Sequence, residues 1–241
     1  MPDIAEFSLK DMTEVSAALR SMGSGAASME EAGDKIVHYL YDHLTDKEGG
    51  GNACALVRLF KTHSYGELDH ELQAFASGIL KTEPASPKMK CLCLLASAGT
   101  LPAWNTRKQS AGHKAIPLPS EHFVEAFPMI RQLIQQLGLD VNTVLHPDPA
   151  VVMDMAQTTY NVFLIPEAVG SNYVPVQDDF VIPFKVRSVL GFGGILPSGN
   201  LFAIIMFSKV KISRQTADMF RSLALSVKVA ILPFVGKAVF S

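Results

Sequence analysis

Cysteine is scarce in this chain. Its three residues of that type, Cys54, Cys91 and Cys93, are too few and too odd in number for a disulfide framework. No charged-then-apolar leader opens the sequence either, so a reducing, cytoplasmic setting is expected. Long apolar runs are also missing. Each is broken by Lys, Arg, Pro or Gly well short of the roughly 20 residues that a membrane-spanning helix requires, which argues against a membrane partner. Neither sign of charge dominates. A formal charge of −2, with basic residues scattered along the chain, gives no footprint for a phosphate backbone, so nucleic acid is not an expected partner. The seven histidines at 38, 43, 63, 70, 113, 122 and 146 form no His-x-x-x-His pair, and no local metal motif is present.

What the chain does have is apolar material. Of its 241 residues, 48% are hydrophobic, enough for a packed core without staples. Residues 1–28 read as a lead-in, helical or frayed, and 29–241 as one domain. The stretch Phe180 to Phe207 reads as two long apolar strands joined by the turn Pro197-Ser198-Gly199-Asn200, because those residues supply a fixed φ, a hydroxyl and two positions tolerant of positive φ. Leu201 to Phe207 is apolar without a break, as in a central strand covered on both faces. Further strands are expected at Ala53–Phe60, Met89–Ala96 and Tyr160–Ile165. Amphipathic helices are expected at Met29–Leu44, Tyr65–Ile79, from Ser120 with an interruption at Pro128, from Asp148 to about Gln157, and from Ser213 to Pro233. The order predicts an α+β fold, an antiparallel sheet flanked by helices. The last helix carries Leu225 and Val229 off its main stripe, so a homodimer through the terminal helices is expected.

Candidate chemistry concentrates in Gly99–Pro119, a loop rich in turn formers that holds the only tryptophan, Trp104, beside Asn105, Arg107, Ser110 and His113. Aromatic, amide, guanidinium and imidazole groups in one loop suit a small polar ligand. The competing reading makes Trp104 a lid on the core edge, with Asn105 and His113 satisfying loop backbone. Tyr160, which opens a strand, and Arg187, a cation inside an apolar stretch that calls for an anionic partner, complete the candidate set. Cys91 and Cys93 alternate onto one strand face, where small core residues are the commoner explanation and a soft-metal pair the rarer one. Ser110 or Cys91 with His113 lacks a nucleophile-elbow context, so no catalytic residue is assigned. Gly191 to Gly194 lies between strand residues and is not a dinucleotide fingerprint.

Three runs carry a family likeness: SVLGFGGILPSGNLFAIIMFSKVKISRQTADMFRSLALSVKVAILPFV, PAWNTRKQSAGHKAIPLPSEHF and TYNVFLIPEAVGSNYVPVQDDFVIPF. Together they resemble GAF-like sensory input domains of bacterial signal-transduction proteins, over about Ile36 to Phe240. That resemblance implies a GAF/PAS-like sheet with a ligand pocket between it and its covering helices and loops. It also implies terminal helices that pass a shape change to an output such as a histidine kinase. The chain has no phosphoacceptor His-Glu box, no kinase nucleotide boxes and no cyclase signature, and it lacks the bilin-attaching cysteine and cyclic-nucleotide motifs of known subclasses. The resemblance therefore names no cofactor and no ligand. The expectation is a non-catalytic sensor that binds a small molecule or a protein partner. The alternatives are a haem- or metal-based sensor, with a ligand among His113, His122, Cys91 and Cys93, or a ligand-free dimerisation module.

Overall fold

The computed structural model describes residues 1–80, 84–148, 152, 155 and 160–241. The lead-in holds a formed helix, α1 (Leu9–Ser21), started by a reciprocal cap. The Asp11 amide donates to the Ser8 hydroxyl and the Ser8 amide donates to the Asp11 carboxylate. The Ser8 hydroxyl also donates to the Asp11 carboxylate, and this bond, followed by the one from the Ser8 amide, holds the carboxyl below its usual range,. The second helix, α2 (Met29–His43), is capped by Ser28 and buries Ile36, Val37 and Leu40 completely.

Six strands form one antiparallel sheet: β1 (Cys54–Ser64), β2 (Lys90–Gly99), β3 (Ala115–Leu118), β4 (Tyr160–Ile165), β5 (Ser188–Ile195) and β6 (Leu201–Ser208). Their spatial order is β3-β2-β1-β6-β5-β4. The β5–β6 hairpin is closed by an Asn200 carbonyl that accepts from Leu196 N–H at 2.9 Å, and Gly199 takes φ +77 in the turn,. The expected α+β arrangement is therefore present.

The helices divide between the two faces. On one face α1, α2 and the last helix, α8 (Arg221–Ile231), pack with Phe192, Phe202, Ile204 and Met206. At the end of that face near β3, α3 (His70–Leu80) covers Cys91 and Cys93. On the other face lie α4 (Glu121–Glu125), α5 (Pro128–Gln136), α6 (Val141–Leu145) and the residue 166–187 connection, over Phe60, Phe163, Ala203 and Ile205. A short helix α7 (Arg214–Met219) precedes α8. The side chain of Gln136 accepts from Leu164 N–H at 2.9 Å and donates to its carbonyl at 3.2 Å, so α5 occupies part of the exposed edge of β4,.

Several local expectations change. The apolar stretch from Phe180 does not begin a strand: Gln177–Val181 is a helical turn, and β5 starts only at Ser188. Pro183 removes an amide donor and Lys185 adopts φ +56, so the chain cannot run extended there,. The expected loop Gly99–Pro119 ends in edge strand β3, where Pro117 is tolerated because only one side of the strand is paired,. β1 continues four residues beyond Phe60, whereas the interruption expected at Pro128 is present, with a new helix starting there. The helix expected from Asp148 to Gln157 lies largely outside the described residues.

The glycines of β5 explain themselves by close packing. A Cβ on Gly193 would stand 2.1 Å from the Phe202 carbonyl oxygen of the neighbouring strand. Gly23, between α1 and α2, is equally confined: its Cβ would meet the Ala230 carbonyl oxygen of α8 at 2.1 Å. Gly23→Ala should therefore push the α1–α2 connection off α8 and destabilise the fold by about 1–3 kcal/mol, the usual range for overpacking. Urea denaturation checks this, and an unchanged midpoint would show that the connection yields without strain.

Beyond a bulge at Leu59/Phe60, β1 carries Lys61, Thr62 and His63 into the interior, all under 5% exposed. Burial, then the charges of Lys61 and Lys90, push the His63 pKa down to about 2. The folded protein thus holds this imidazole neutral while the unfolded chain protonates it near the usual histidine value. Stability should fall as pH drops below about 6.5, by roughly 1.4 kcal/mol per pH unit from this group. His63→Leu should flatten that acid limb in urea titrations between pH 6.5 and 5.5, and a limb of unchanged slope would refute the assignment.

Candidate functional site

On the face that carries α4 to α6, β1 and β6 form the floor of a cavity of about 210 Å³. Leu56 and Arg58 of β1 and Phe207 of β6 lie beneath Trp104, His113, Met129, Val174, Val176 and Phe180. A smaller lobe of about 90 Å³ shares Arg58, His113, Met129 and Phe207 and runs between Phe60, Ile130 and Leu133. Small pockets of this kind suit compact ligands, since drug-sized ones occupy roughly 300–1,000 Å³.

The walls follow from local sequence. Pro102 starts a single 3-10 turn that ends at Trp104. The Asn105 side chain then closes the loop, accepting from Gly99 N–H at 3.0 Å and donating to the Leu101 carbonyl at 3.1 Å. Trp104 is thereby held against Phe184 and Phe180, with ring centroids at 4.6 and 5.5 Å, and Phe180 meets Phe207 edge-on at 5.0 Å. These offset and edge contacts are the favoured aromatic geometries. Trp104 lines the cavity, while Asn105 serves the loop backbone as the structural reading of the loop expected.

Arg58 is the unusual member. Its Nη2 donates to the Ser110 hydroxyl at 3.2 Å, and its Nε is buried with no hydrogen-bond partner among the described residues. No carboxylate among the described residues lies within ion-pair distance of it. Burial lowers the guanidinium pKa to about 10, still far above neutrality, so the cation persists in apolar surroundings without a counter-charge. His113, in the left-handed region at φ +62, stands over it. The protein around the ring, and then the Arg58 charge, hold the imidazole pKa below its usual value. A neutral imidazole beside a cation can accept or donate a single hydrogen bond without adding repulsion.

No protein-family model matches the chain, and no curated protein matches it in sequence. The site must therefore be read from its own residues.

Of the six residues singled out from sequence, the structure brings Trp104 and His113 together at this cavity. Asn105 supports it from behind. Arg107 turns the other way: its Nε lies 2.8 Å from the Glu30 carboxylate, and its guanidinium stacks 4.6 Å from the Phe240 ring centroid. Tyr160 sits on the opposite face, beside the groove between α1 and α8. Arg187 is exposed just before β5, with only its backbone engaged, donating to Ser208 and accepting from Ala168. It does not interrupt a strand, so the demand for an anionic partner disappears.

Arg58 itself went unsingled in the sequence. A lone arginine in the run ACALVRLF was the available signal, since a cation within a two-face-buried strand needs an account of its charge.

Other chemistry from the sequence is separated by the sheet. Leu92 lines the smaller lobe, so Cys91 and Cys93 project to the opposite side, away from His113,. Burial raises the Cys91 thiol to about 12 and lifts Cys93 well above its ordinary value, which disfavours the thiolate needed for nucleophilic attack,. The Ser110 hydroxyl donates to the Gly112 carbonyl at 2.8 Å and accepts from Arg58, so it serves loop structure. Among the described residues, no three His, Cys, Asp or Glu side chains gather as metal ligands, and no helix is long and apolar enough to cross a membrane.

Proposed function

We propose that the chain is a non-catalytic sensory module, GAF-like in arrangement, that binds a compact amphipathic carboxylate against Arg58 and relays its presence to a signalling output such as a histidine kinase. The observation that carries this reading is a half-buried arginine, its Nε fully enclosed and no carboxylate among the described residues within reach, in a largely apolar, aromatic-walled cavity. A carboxylate supplies the missing charge bidentately, and an attached ring or short chain fits among Phe180, Phe207 and Met129.

The relay has a physical route. Residues 99–114 contribute Trp104 and His113 to the cavity and the Ser110 hydroxyl to Arg58, while Arg107 of the same stretch is tied to Glu30 of α2 and to Phe240. An occupant that shifts this loop shifts the contact with α2 and the C-terminal segment, provided it binds one arrangement better than the other. The terminal helices support the output role. Leu225 and Val229 of α8, with Leu232 just beyond, are 41, 44 and 41% exposed and form an outward apolar row suited to pairing with a second copy,.

Calorimetry with benzoate and octanoate as probes tests the binding half. Saturable binding of either by the wild type, lost in Arg58→Met, is expected; equal behaviour of the two proteins with both probes would sink it. Sedimentation of wild type and Val229→Glu tests the pairing half, and a monomeric wild type at micromolar concentration would remove it.

A further inference from the structure

A second and larger cavity, about 680 Å³, opens on the other face of the sheet. It lies between the start of α2, the approach to α3, the β5–β6 turn and residues 235–240. Its floor is polar and deeply enclosed: Lys61, His63 and Asn200 are 4, 3 and 9% exposed. The Lys61 ammonium has only neutral partners, donating to the Thr62 carbonyl at 3.2 Å and lying 3.4 Å from both ring nitrogens of His63. The Thr62 hydroxyl donates to the Asn200 side-chain oxygen at 3.4 Å, and Lys90 donates to the same oxygen at 3.0 Å.

The Lys61 ammonium thus faces this cavity, while Lys90, from the opposite face of the sheet, lines a separate cavity with Leu118 and His146 and reaches Asn200 from there. Among the described residues, neither has a carboxylate within ion-pair distance. The acids that line this cavity, Glu67 and Asp69, are exposed, and Asp69 already accepts from Leu72 N–H at 2.8 Å. The roof is the C-terminal segment, whose Ala238 and Val239 carbonyls accept from Met29 N–H and Glu30 N–H at 3.1 and 2.8 Å. These are first-turn donors of α2 that have no partner inside the helix.

From the cavity, the deeply enclosed Lys61 ammonium on its floor and the lack of a counter-charge, we propose a second binding site that takes a compact oxyanion, the phosphate or carboxylate group of a small metabolite, against Lys61 beneath the C-terminal segment. The proposal is independent of the Arg58 cavity on the other face. An oxyanion here completes the charge balance that the protein leaves open, and the segment 235–240 closes over it. Burial also lowers Lys61 to about 8 and Lys90 below the ordinary lysine value. Near pH 8 the Lys61 site therefore holds free amine as well as ammonium, which makes it addressable by a chemical probe.

That probe is pyridoxal 5′-phosphate, an aldehyde bearing an oxyanion, applied to the full chain at pH 8 and fixed with borohydride. The free amine adds to the aldehyde carbon, water leaves, and hydride from borohydride reduces the resulting imine to a stable secondary amine that mass spectrometry maps. Lys61 is expected to be modified about tenfold faster than the exposed Lys47. Inorganic phosphate or succinate should slow that labelling, and whichever competes better identifies the anion class. Labelling of Lys61 no faster than Lys47, or indifferent to both anions, overturns the proposal. Calorimetric titration of the wild type with phosphate and with succinate gives a second readout, and absence of binding for both overturns the proposal equally.

Discussion

Arg58→Met is expected to make the ligand-free protein more stable, by about 1–3 kcal/mol, while abolishing carboxylate binding. The two effects have one cause. Burial lowers the Arg58 pKa to about 10 from an ordinary 12.5, and each unit of such a shift corresponds to about 1.4 kcal/mol of penalty on the charged form. The unfolded chain carries the same cation in water at no such cost. Since both folded and unfolded values lie well above neutrality, the penalty is present in full at pH 7 and is relieved only as the pH rises through about 10. Methionine has similar length and no charge, so it fills the space between Phe60, Ile205 and Phe207 and removes the penalty,. Part of the gain is lost with the hydrogen bond to Ser110. Urea denaturation reads the stability, and calorimetry with benzoate or octanoate reads the binding. A variant less stable than the wild type would mean that the guanidinium is already compensated, and the argument for an anionic ligand would fall with it.

The other arginine of that region should respond in the opposite direction. Glu30→Leu is expected to destabilise the fold by about 3–5 kcal/mol, because it strands the buried Arg107 charge. The two side chains are each 10% exposed, and the Glu30 carboxylate also accepts from Ser241 N–H at 2.9 Å. The ion pair, the stacked Phe240 ring and the end of the chain thus rest on one carboxylate. The double variant Glu30→Leu/Arg107→Leu should recover most of the loss, since two well-packed apolar groups replace the pair without leaving a charge. A double variant as unstable as the single one would show that the loss comes from the released C-terminal segment instead. Arg107 has a facing carboxylate and Arg58 has none among the described residues, and the two experiments together test what that difference is worth.

The contrast shows how far the chain could be read from its letters. Leu201–Phe207, apolar throughout, and the Pro197–Asn200 turn announced the hairpin because local chemistry alone decides them. The helical stripe of Ile36, Val37 and Leu40 was equally plain. Lys61, Thr62 and His63 were not, since a polar triplet at the end of a strand reads as a loop until other elements are seen to cover it. The pocket was half visible: Trp104 and His113 stood out as rare side chains in a turn-rich segment, and the structure brings them to one cavity. Arg107 stood out for the same reason and faces elsewhere, because which side of a loop a residue takes depends on contacts with Glu30 and Phe240, both more than 70 positions away in sequence. Arg58 was hidden by its setting, for a single cation in an apolar strand gains meaning only when every nearby carboxylate is known.

The stretch that joins Trp104, Arg107, Ser110 and His113 borders one cavity directly and touches the roof of the other through Phe240. Equilibrium thermodynamics then imposes a symmetry on two occupants acting through that hinge. Whatever factor the first changes in the dissociation constant of the second, the second must return unchanged to the first. Titrating either site at fixed saturation of the other would measure one number twice, and disagreement between the two determinations would mean that one of the titrations had not reached equilibrium.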